Sequence, residues 1–407
     1  MAQRRLSWHR GIFRGRCGAL PPRTMIYFDN NATTAIEPTA VDAMQPFLRE
    51  HYANPSSGTT FARHTRQAVA RAREQVAALL GCEPGEVIFT SGGTEADNAA
   101  IFSATQIHPD RKHLVTAATE HDAVLNHCAW LEANHGYEVT RVAVNRDGVP
   151  DLAELAAAIR PGQTALVSVM AANNETGVCA PVAQAAALAE ENGVLFHTDA
   201  VQMAGKVPLR LASTAIHYLA ISGHKFHAPK GIGALFVSKR VRFQPMLLGG
   251  GQESHRRAGT ENVPHVVALG QAAACALRHL EMHEAGEDPV RTLRDAFETG
   301  LRALLPGVEI NGAGAPRTPN TTSVRIPGAP AEGMLILLDQ QGICCSAGSA
   351  CNTGALHPSH VLAAMGRSPE EARECLRFSF SRFNTDGEIQ AALPVIAAAA
   401  DKMRRLR

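Results

Sequence analysis

Lys225 follows an apolar run, Ile216 to Ile221, that has the composition of a buried strand and ends abruptly in a polar turn carrying Ser222 and His224. At the carboxyl end of such a strand the chain faces the crevice where open α/β sheets bind ligands. A partly desolvated amine there can lose its proton and attack a carbonyl to form a Schiff base. Taken alone, Lys225 reads equally well as a surface lysine. Other polar residues, however, stand in the same relation to other strands. Ser91-Gly92-Gly93-Thr94 follows Val87 to Thr90 and opens a helix, so its N–H groups and hydroxyls could hold a phosphate at the positive helix end. This turn is neither a Walker loop, since the Gly-Lys-Ser/Thr ending is missing, nor a G-x-G-x-x-G turn. His121 follows the next strand, Asn173-Asn174-Glu175 the one after, and Asp199 comes directly behind Val194 to His197 with Gln202 one helical turn on.

Each of these residues singly reads as structural, Asp199 beside Gln202 being an ordinary hydrogen-bonded cap. Beside a Schiff-base lysine the set gains another sense. An aspartate that keeps the pyridine nitrogen of pyridoxal phosphate protonated makes that ring an electron sink. Phosphate cradle, ring partner, acid partner and lysine, delivered to one edge by successive units of a sheet, are expected to form one site. Lys206 and Lys230 read as solvated or structural. His224 and His227, or Cys344, Cys345 and Cys351, lack a second pair at zinc-like spacing, so no metal site is expected.

The elements that must position these residues alternate. A helix from Phe61 to Leu80, with Ala68, Val69, Ala72, Val76, Leu79 and Leu80 at helical spacing, is closed by Gly81. Strands at Val87 to Thr90, Leu114 to Thr116, Ala165 to Met170 and Val194 to His197 alternate with helices after Thr94, Ala123 and Pro181, which predicts a doubly wound, mostly parallel sheet covered on both faces. After about Leu280 a polar helix and a Pro/Gly/Asn-rich stretch to Pro330 mark a second domain, with a helix at Met334 to Leu338 and a strand at Leu376 to Phe380. The expected division is a large domain over 38–280 and a small one made of 25–37 and 281–407. Residues 1–24 carry six arginines and no acid and are expected to be disordered or to lie upstream of the true start at Met25. Over the whole chain a net charge of +1, 45% hydrophobic and 19% charged residues describe a globular protein with no global attraction for nucleic acid or an anionic membrane. No apolar run is long enough to span a bilayer. Nine cysteines without a paired framework suit a reducing compartment, and a cytoplasmic location is expected.

Over nearly all of Met25 to Arg407 the chain resembles the cysteine desulfurases of pyridoxal-phosphate fold type I, in the class V aminotransferase superfamily. The motifs that carry the resemblance are Asp29-Asn30-Asn31-Ala32-Thr33-Thr34, Asn54-Pro55-Ser56-Ser57, Thr90-Ser91-Gly92-Gly93-Thr94-Glu95-Ala96-Asp97-Asn98 and Thr119-Glu120-His121. They continue with Asn173-Asn174-Glu175-Thr176-Gly177, His197-Thr198-Asp199-Ala200-Val201-Gln202, Ser222-Gly223-His224-Lys225, Arg257-Ala258-Gly259-Thr260 and Gly348-Ser349-Ala350-Cys351. The resemblance implies an α/β fold with a helix-covered, mostly parallel sheet and a smaller α/β C-terminal domain. It implies that Lys225 carries pyridoxal 5'-phosphate as a Schiff base and that His121 stacks on the ring and moves protons. Asp199 would pair with the pyridine nitrogen, Gln202 with the ring hydroxyl, and Asn174 would lie beside ring and substrate. Gly93, Thr94, Ser222 and His224 would hold the phosphate, joined by Thr260 of a second copy in a homodimer. Arg377 would bind the substrate carboxylate.

Cys351 would be the nucleophile, on a small-residue loop whose length is similar to that of the housekeeping and nitrogenase-type group. The implied reaction converts L-cysteine to L-alanine and leaves the sulfur on Cys351 as a persulfide. An acceptor such as an iron–sulfur cluster scaffold would receive it, and metal contact would be limited to a transient one between Cys351 and a cluster. The alternatives are a selenocysteine lyase, another class V transaminase, and a non-catalytic scaffold that docks assembly partners. Asn31, Ala35, Gly58, Thr59 and Ser381 depart from the family pattern and are expected to touch none of the positions named.

Overall fold

The computed structural model describes residues 25–283, 288–348 and 359–406; the 1–24 extension and Cys351 lie outside them. The chain enters through β1 (Ile26–Tyr27), then runs through α1 (Pro38–Arg49) and α2 (Thr60–Leu80). The side chain of Thr59 accepts the Ala62 N–H at the start of α2, and Gly81 ends it with φ +64. A Cβ on Gly81 would stand 2.8 Å from the Leu209 carbonyl oxygen, so both the left-handed turn and the close approach require glycine.

Strand–helix units follow: β2 (Val87–Thr90) and α3 (Gly93–Ile107), β3 (His113–Ala117) and α4 (Asp122–His135), β4 (Glu138–Val142) and α5 (Leu152–Ala158), β5 (Thr164–Ser168) and α6 (Val182–Glu191). Then come β6 (Leu195–Asp199), β7 (Tyr218–Ser222) and β8 (Gly233–Val237). The seven strands lie in the order β2-β8-β7-β6-β5-β3-β4. Pairs from β4 to β7 are parallel, while β8 runs antiparallel to both β7 and β2. Except for the edge strand β4, every residue of these strands is buried, as a sheet covered on both faces demands. A single left-handed turn, α7 (Gln252–His255), and the helix α8 (Val263–His283) complete this part, α8 packing on α2 where Gly270 meets Ala72.

Two features differ from the sequence reading. The polar residues Asp199 and Ser222 are the last residues of their strands, not the first of the turns, because each keeps its backbone in register, Asp199 with Ala220 and Ser222 with Gly233. The units that feed the site are also not consecutive: β4 intervenes in the chain and is laid down at the sheet edge beside β3.

The remaining elements are α9 (Pro289–Leu304), β9 (Glu309–Asn311), β10 (Thr321–Arg325), α10 (Ala331–Asp339), β11 (Ile343–Cys344), β12 (Ser346–Ala347), α11 (His360–Ala364), α12 (Pro369–Ala372), β13 (Cys375–Ser379) and α13 (Asp386–Arg405). An antiparallel sheet β12-β13-β10-β9 carries a second core in which Phe28, Phe297, Phe378 and Phe380 cluster, Phe28 meeting Phe380 edge-on at 4.9 Å. The N-terminal strand joins this core, since β1 pairs in parallel with β11. None of the described helices is long and apolar enough to cross a membrane.

Candidate active site

A cavity of about 410 Å³ opens at the carboxyl ends of β3, β5, β6 and β7. Gly93 and Thr94 reach it from the start of α3, His121 from the cap of α4, and Asn174 from the turn after β5. Asp199 and Gln202 enter from β6 and the turn behind it, Ser222, His224 and Lys225 from the end of β7, and Arg377 from β13. Thr260 is exposed and is not part of this wall, and Cys351 lies outside the described residues.

The Lys225 Nζ donates to the carbonyls of Asn31 at 2.6 Å and Ala32 at 3.0 Å, two residues that also line the cavity and fix the amine at its wall. On the same cavity, the first turn of α3 presents N–H groups that have no helical carbonyl to accept them. A Cβ on Gly93 would lie 2.6 Å from Val201 Cγ2, so only glycine leaves this cradle open for an anion. His224 beside it, with Nδ1 3.2 Å from Thr33 Oγ1, is held neutral, pushed down to about 4 by burial and by the Lys225 ammonium. His121 accepts the Ala123 N–H on Nδ1 at 3.1 Å, so in the neutral ring the proton sits on Nε2.

Asp199 is buried and accepts the Val201 N–H at 2.8 Å. Burial, and then the neighbouring Asp97, push it up to about 7, the state of a carboxyl that lacks a cation partner. Gln202 donates to the Asn31 carbonyl at 3.1 Å and accepts from Lys206 Nζ at 2.9 Å. Of the two readings of Lys206, solvated or structural, the structural one holds: the residue is half-buried, and its ammonium is pushed down to about 7, first by desolvation and then by Lys225 and Arg377. Arg377, 2% exposed, donates Nη2 to Asp29 Oδ1 at 2.7 Å and Nη1 to the Asn174 carbonyl at 3.0 Å. Its Nε finds no partner among the described residues, which leaves one buried donor of the guanidinium unsatisfied.

Several lining residues went unnoticed in the sequence as parts of a site. Asn31 is the correction, since its side chain does touch a named position: Nδ2 donates to the Asn174 carbonyl at 3.1 Å, and Oδ1 accepts from Asn320 at 2.9 Å. Asp97 lines the cavity from the fifth position of α3, where the one signal was an acid on an otherwise small and apolar helix face. Glu175 accepts the Ser359 hydroxyl at 2.5 Å, and a Cβ on Gly348 would lie 2.5 Å from the same carboxylate oxygen. His360 bonds the Glu120 carbonyl through Nε2 at 2.9 Å. Both described ends of the stretch that contains Cys351 are thus seated at the cavity rim. Among the described residues no group of three or more His, Cys, Asp and Glu side chains is arranged to hold a metal.

Residues 26–392 match the model of the class-V aminotransferases. A cysteine desulfurase of Nostoc sp. is 48% identical over 94% of this chain and 94% of its own. The cysteine desulfurase NifS of Azotobacter vinelandii is 44% identical, again over 94% of both chains. Among solved structures, a NifS-like protein superposes with a TM-score of 0.85 at 34% identity, covering 93% of this chain and all of that one.

Proposed function

The chain belongs to the class-V aminotransferase family, and from that membership we propose that it is a pyridoxal-phosphate-dependent cysteine desulfurase, taking sulfur from L-cysteine and releasing L-alanine. One observation carries the reading: a single cavity holds an aimed amine, a buried acid, an anion cradle and an arginine with an unused donor. Those features fit the cofactor. The glycine-lined start of α3 with Ser222 and His224 would take its phosphate, Asp199 its pyridine nitrogen, Gln202 its ring hydroxyl, Lys225 its aldehyde carbon and Asn174 one ring edge.

When bound, pyridoxal phosphate spreads the electron pair left at the substrate's Cα, which no side chain here can do. The chain's own residues supply the rest. Arg377 fixes the substrate carboxylate through its free Nε, held in place by Asp29 and the Asn174 carbonyl. Lys225 and the Nε2 side of His121 bracket the substrate from different strands and carry protons to and from it. Asp199 gains a cation partner and so becomes a stable carboxylate. The Cys351 thiolate receives the sulfur: an S–S bond forms as the substrate's C–S bond breaks, the electron pair stays on carbon, and protonation there completes alanine. Cys351 is three residues from Gly348 in the chain, a span of at most about 11 Å, and Gly348 sits against Glu175 of the cavity wall.

The enzyme is a homodimer in which Thr260 completes the partner's phosphate site. Its exposure here, outside its own chain's cavity, supports that contact. It works in the cytoplasm, and the sulfur goes to an acceptor protein such as an iron–sulfur cluster scaffold. The chain divides into a large domain, 38–280, and a small one, 25–37 with 281–407; the separate aromatic core that includes Phe28 supports this division. Incubation with L-cysteine without reductant, followed by peptide mass mapping, tests the sulfur route. One sulfur atom added to the peptide containing Cys351 is expected, and sulfur on another cysteine, or on none, would displace the assignment.

A further inference from the structure

Asp97 and His197 are each almost wholly buried, and each carries a polar atom without a hydrogen-bond partner among the described residues. Those two atoms face one another: Asp97 Oδ1 lies 3.4 Å from His197 Nε2. On its other side His197 sets Nδ1 2.8 Å from Ser168 Oγ on β5. His197 precedes Asp199 by two residues on β6, so both side chains leave the same face of the sheet, and Asp97 and Asp199 line the same cavity. Glu120, also buried, is a third acid beside them, with Oε1 accepting the Met170 N–H at 2.6 Å.

Buried acids that feel one another disfavour one another's charge. The hydrogen bonds decide which one gives up its charge. Asp199 and Glu120 each accept a backbone N–H, from Val201 and from Met170, which favours their carboxylates, whereas Asp97 Oδ1 accepts nothing. We infer that Asp97 is a positioning residue, a neutral acid whose O–H is directed at His197 Nε2, and that it thereby keeps the charge facing the ligand on Asp199. His197 then carries its proton on Nδ1 and donates to Ser168, so every group in the line is satisfied. Burial acts in the same sense on both, pushing Asp97 up to about 8 and His197 down to about 4, which leaves both uncharged at neutral pH. The inference rests on the reading of Asp199 as partner of the cofactor's pyridine nitrogen.

Two substitutions separate a neutral Asp97 from a charged one. Asp97→Asn keeps the shape and donates an N–H to His197, while Asp97→Ala leaves that nitrogen unsatisfied. In the holoenzyme, with folding checked by circular dichroism, the measurements are the visible absorbance band and the dissociation constant of pyridoxal phosphate. Asp97→Asn is expected to keep the band and to bind within about threefold of the parent, and Asp97→Ala to bind about tenfold or more weakly, the loss expected from one orphaned buried group. Equal damage in both variants would mean that Asp97 must be charged, and parental behaviour in both would mean that it positions nothing; either overturns the inference. Should neither variant fold, carbon-13 labelling of aspartate carboxyls in the unmodified holoenzyme reads the same point. One aspartate resonance neutral at pH 7, persisting in Asp199→Asn, is expected, and its absence overturns the inference. A parent protein without the visible band would instead sink the cofactor reading, and the labelled aspartate would still report on Asp97.

Discussion

Arg377 is committed to Asp29 and to the Asn174 carbonyl before any substrate arrives, and this makes it a test of recognition at the residue scale. A lysine there has one point charge in place of a planar fork and cannot serve both partners and a carboxylate together. Arg377→Lys is therefore expected to raise KM for cysteine by about tenfold or more while kcat falls less, the loss being chiefly in binding. Asp199 makes a second prediction. Its carboxyl is raised in the folded state, to about 7, so its protonated form contributes stability that is complete below the ordinary carboxylate range and is lost as pH climbs through about 7. The raised Asp97 and Glu120 act in the same direction. The buried His197 and His224, pushed down to about 4, act in the opposite sense as pH rises through the ordinary histidine range, so the acid is read as a difference. The stability of the cofactor-free parent relative to Asp199→Asn should fall by on the order of a few kcal/mol between about pH 4 and pH 8, and that fall should shrink in the holoenzyme, where the proposed pyridine contact supplies a cation. A parent-minus-variant difference that rises over this range would contradict the buried acid. At this scale, residues on strand ends were legible in the sequence because a polar side chain interrupting an apolar run is conspicuous. Asp97 and Asn31 were not, since their importance depends on which face of α3 turns inward and on Asn320 and Asn174, far away in sequence, meeting Asn31.

At the scale of elements, the segment before Thr260 is strained. Glu253, Ser254 and His255 hold φ of +48, +57 and +63, a left-handed run that non-glycine residues rarely adopt. Such strain costs of order 1–3 kcal/mol per residue and persists only where neighbours enforce it. Arg73 enforces it through paired 2.7 Å bonds to both Glu253 oxygens, joined by the Phe89 N–H at 3.0 Å. Arg73→Ala should relax the turn, lower stability by about 3 kcal/mol or more, and weaken cofactor binding through the displaced Thr260. Unchanged cofactor affinity would mean that the turn does not serve the site. Gly81→Ala is the contrasting case: at the end of α2 it should lower the thermal midpoint by at least about 1 kcal/mol in equivalent stability and leave the absorbance band unaltered. Gly81 as a helix stop and the buried strands were legible from local pattern alone. The strands β4 and β8 were not: β4 is a short edge strand with exposed charges, and β8 follows a glycine-rich turn that reads as part of the site.

For the whole molecule, the proposed homodimer makes a prediction at the segment that carries Thr260. Leu248, 80% exposed, lies on that segment. Sedimentation should give twice the chain mass, and Leu248→Asp should yield monomers that hold pyridoxal phosphate more weakly, because Thr260 then has no partner's phosphate to reach. A stable monomer of parental cofactor affinity would contradict the shared site. The α/β layering was legible from the alternation of strands and helices, whereas the return of Phe28 to a core built from residues after 289 depends on contacts across most of the chain. All of this converges on sulfur removal from cysteine, which is measured most directly as alanine and sulfide release from L-cysteine by the holoenzyme with a thiol reductant, beside Cys351→Ala. Equal amounts of alanine and sulfide from the parent, with almost none from the variant and its absorbance band intact, are the predicted result. Equal turnover by the two proteins, or alanine only when a keto acid is supplied, would contradict it.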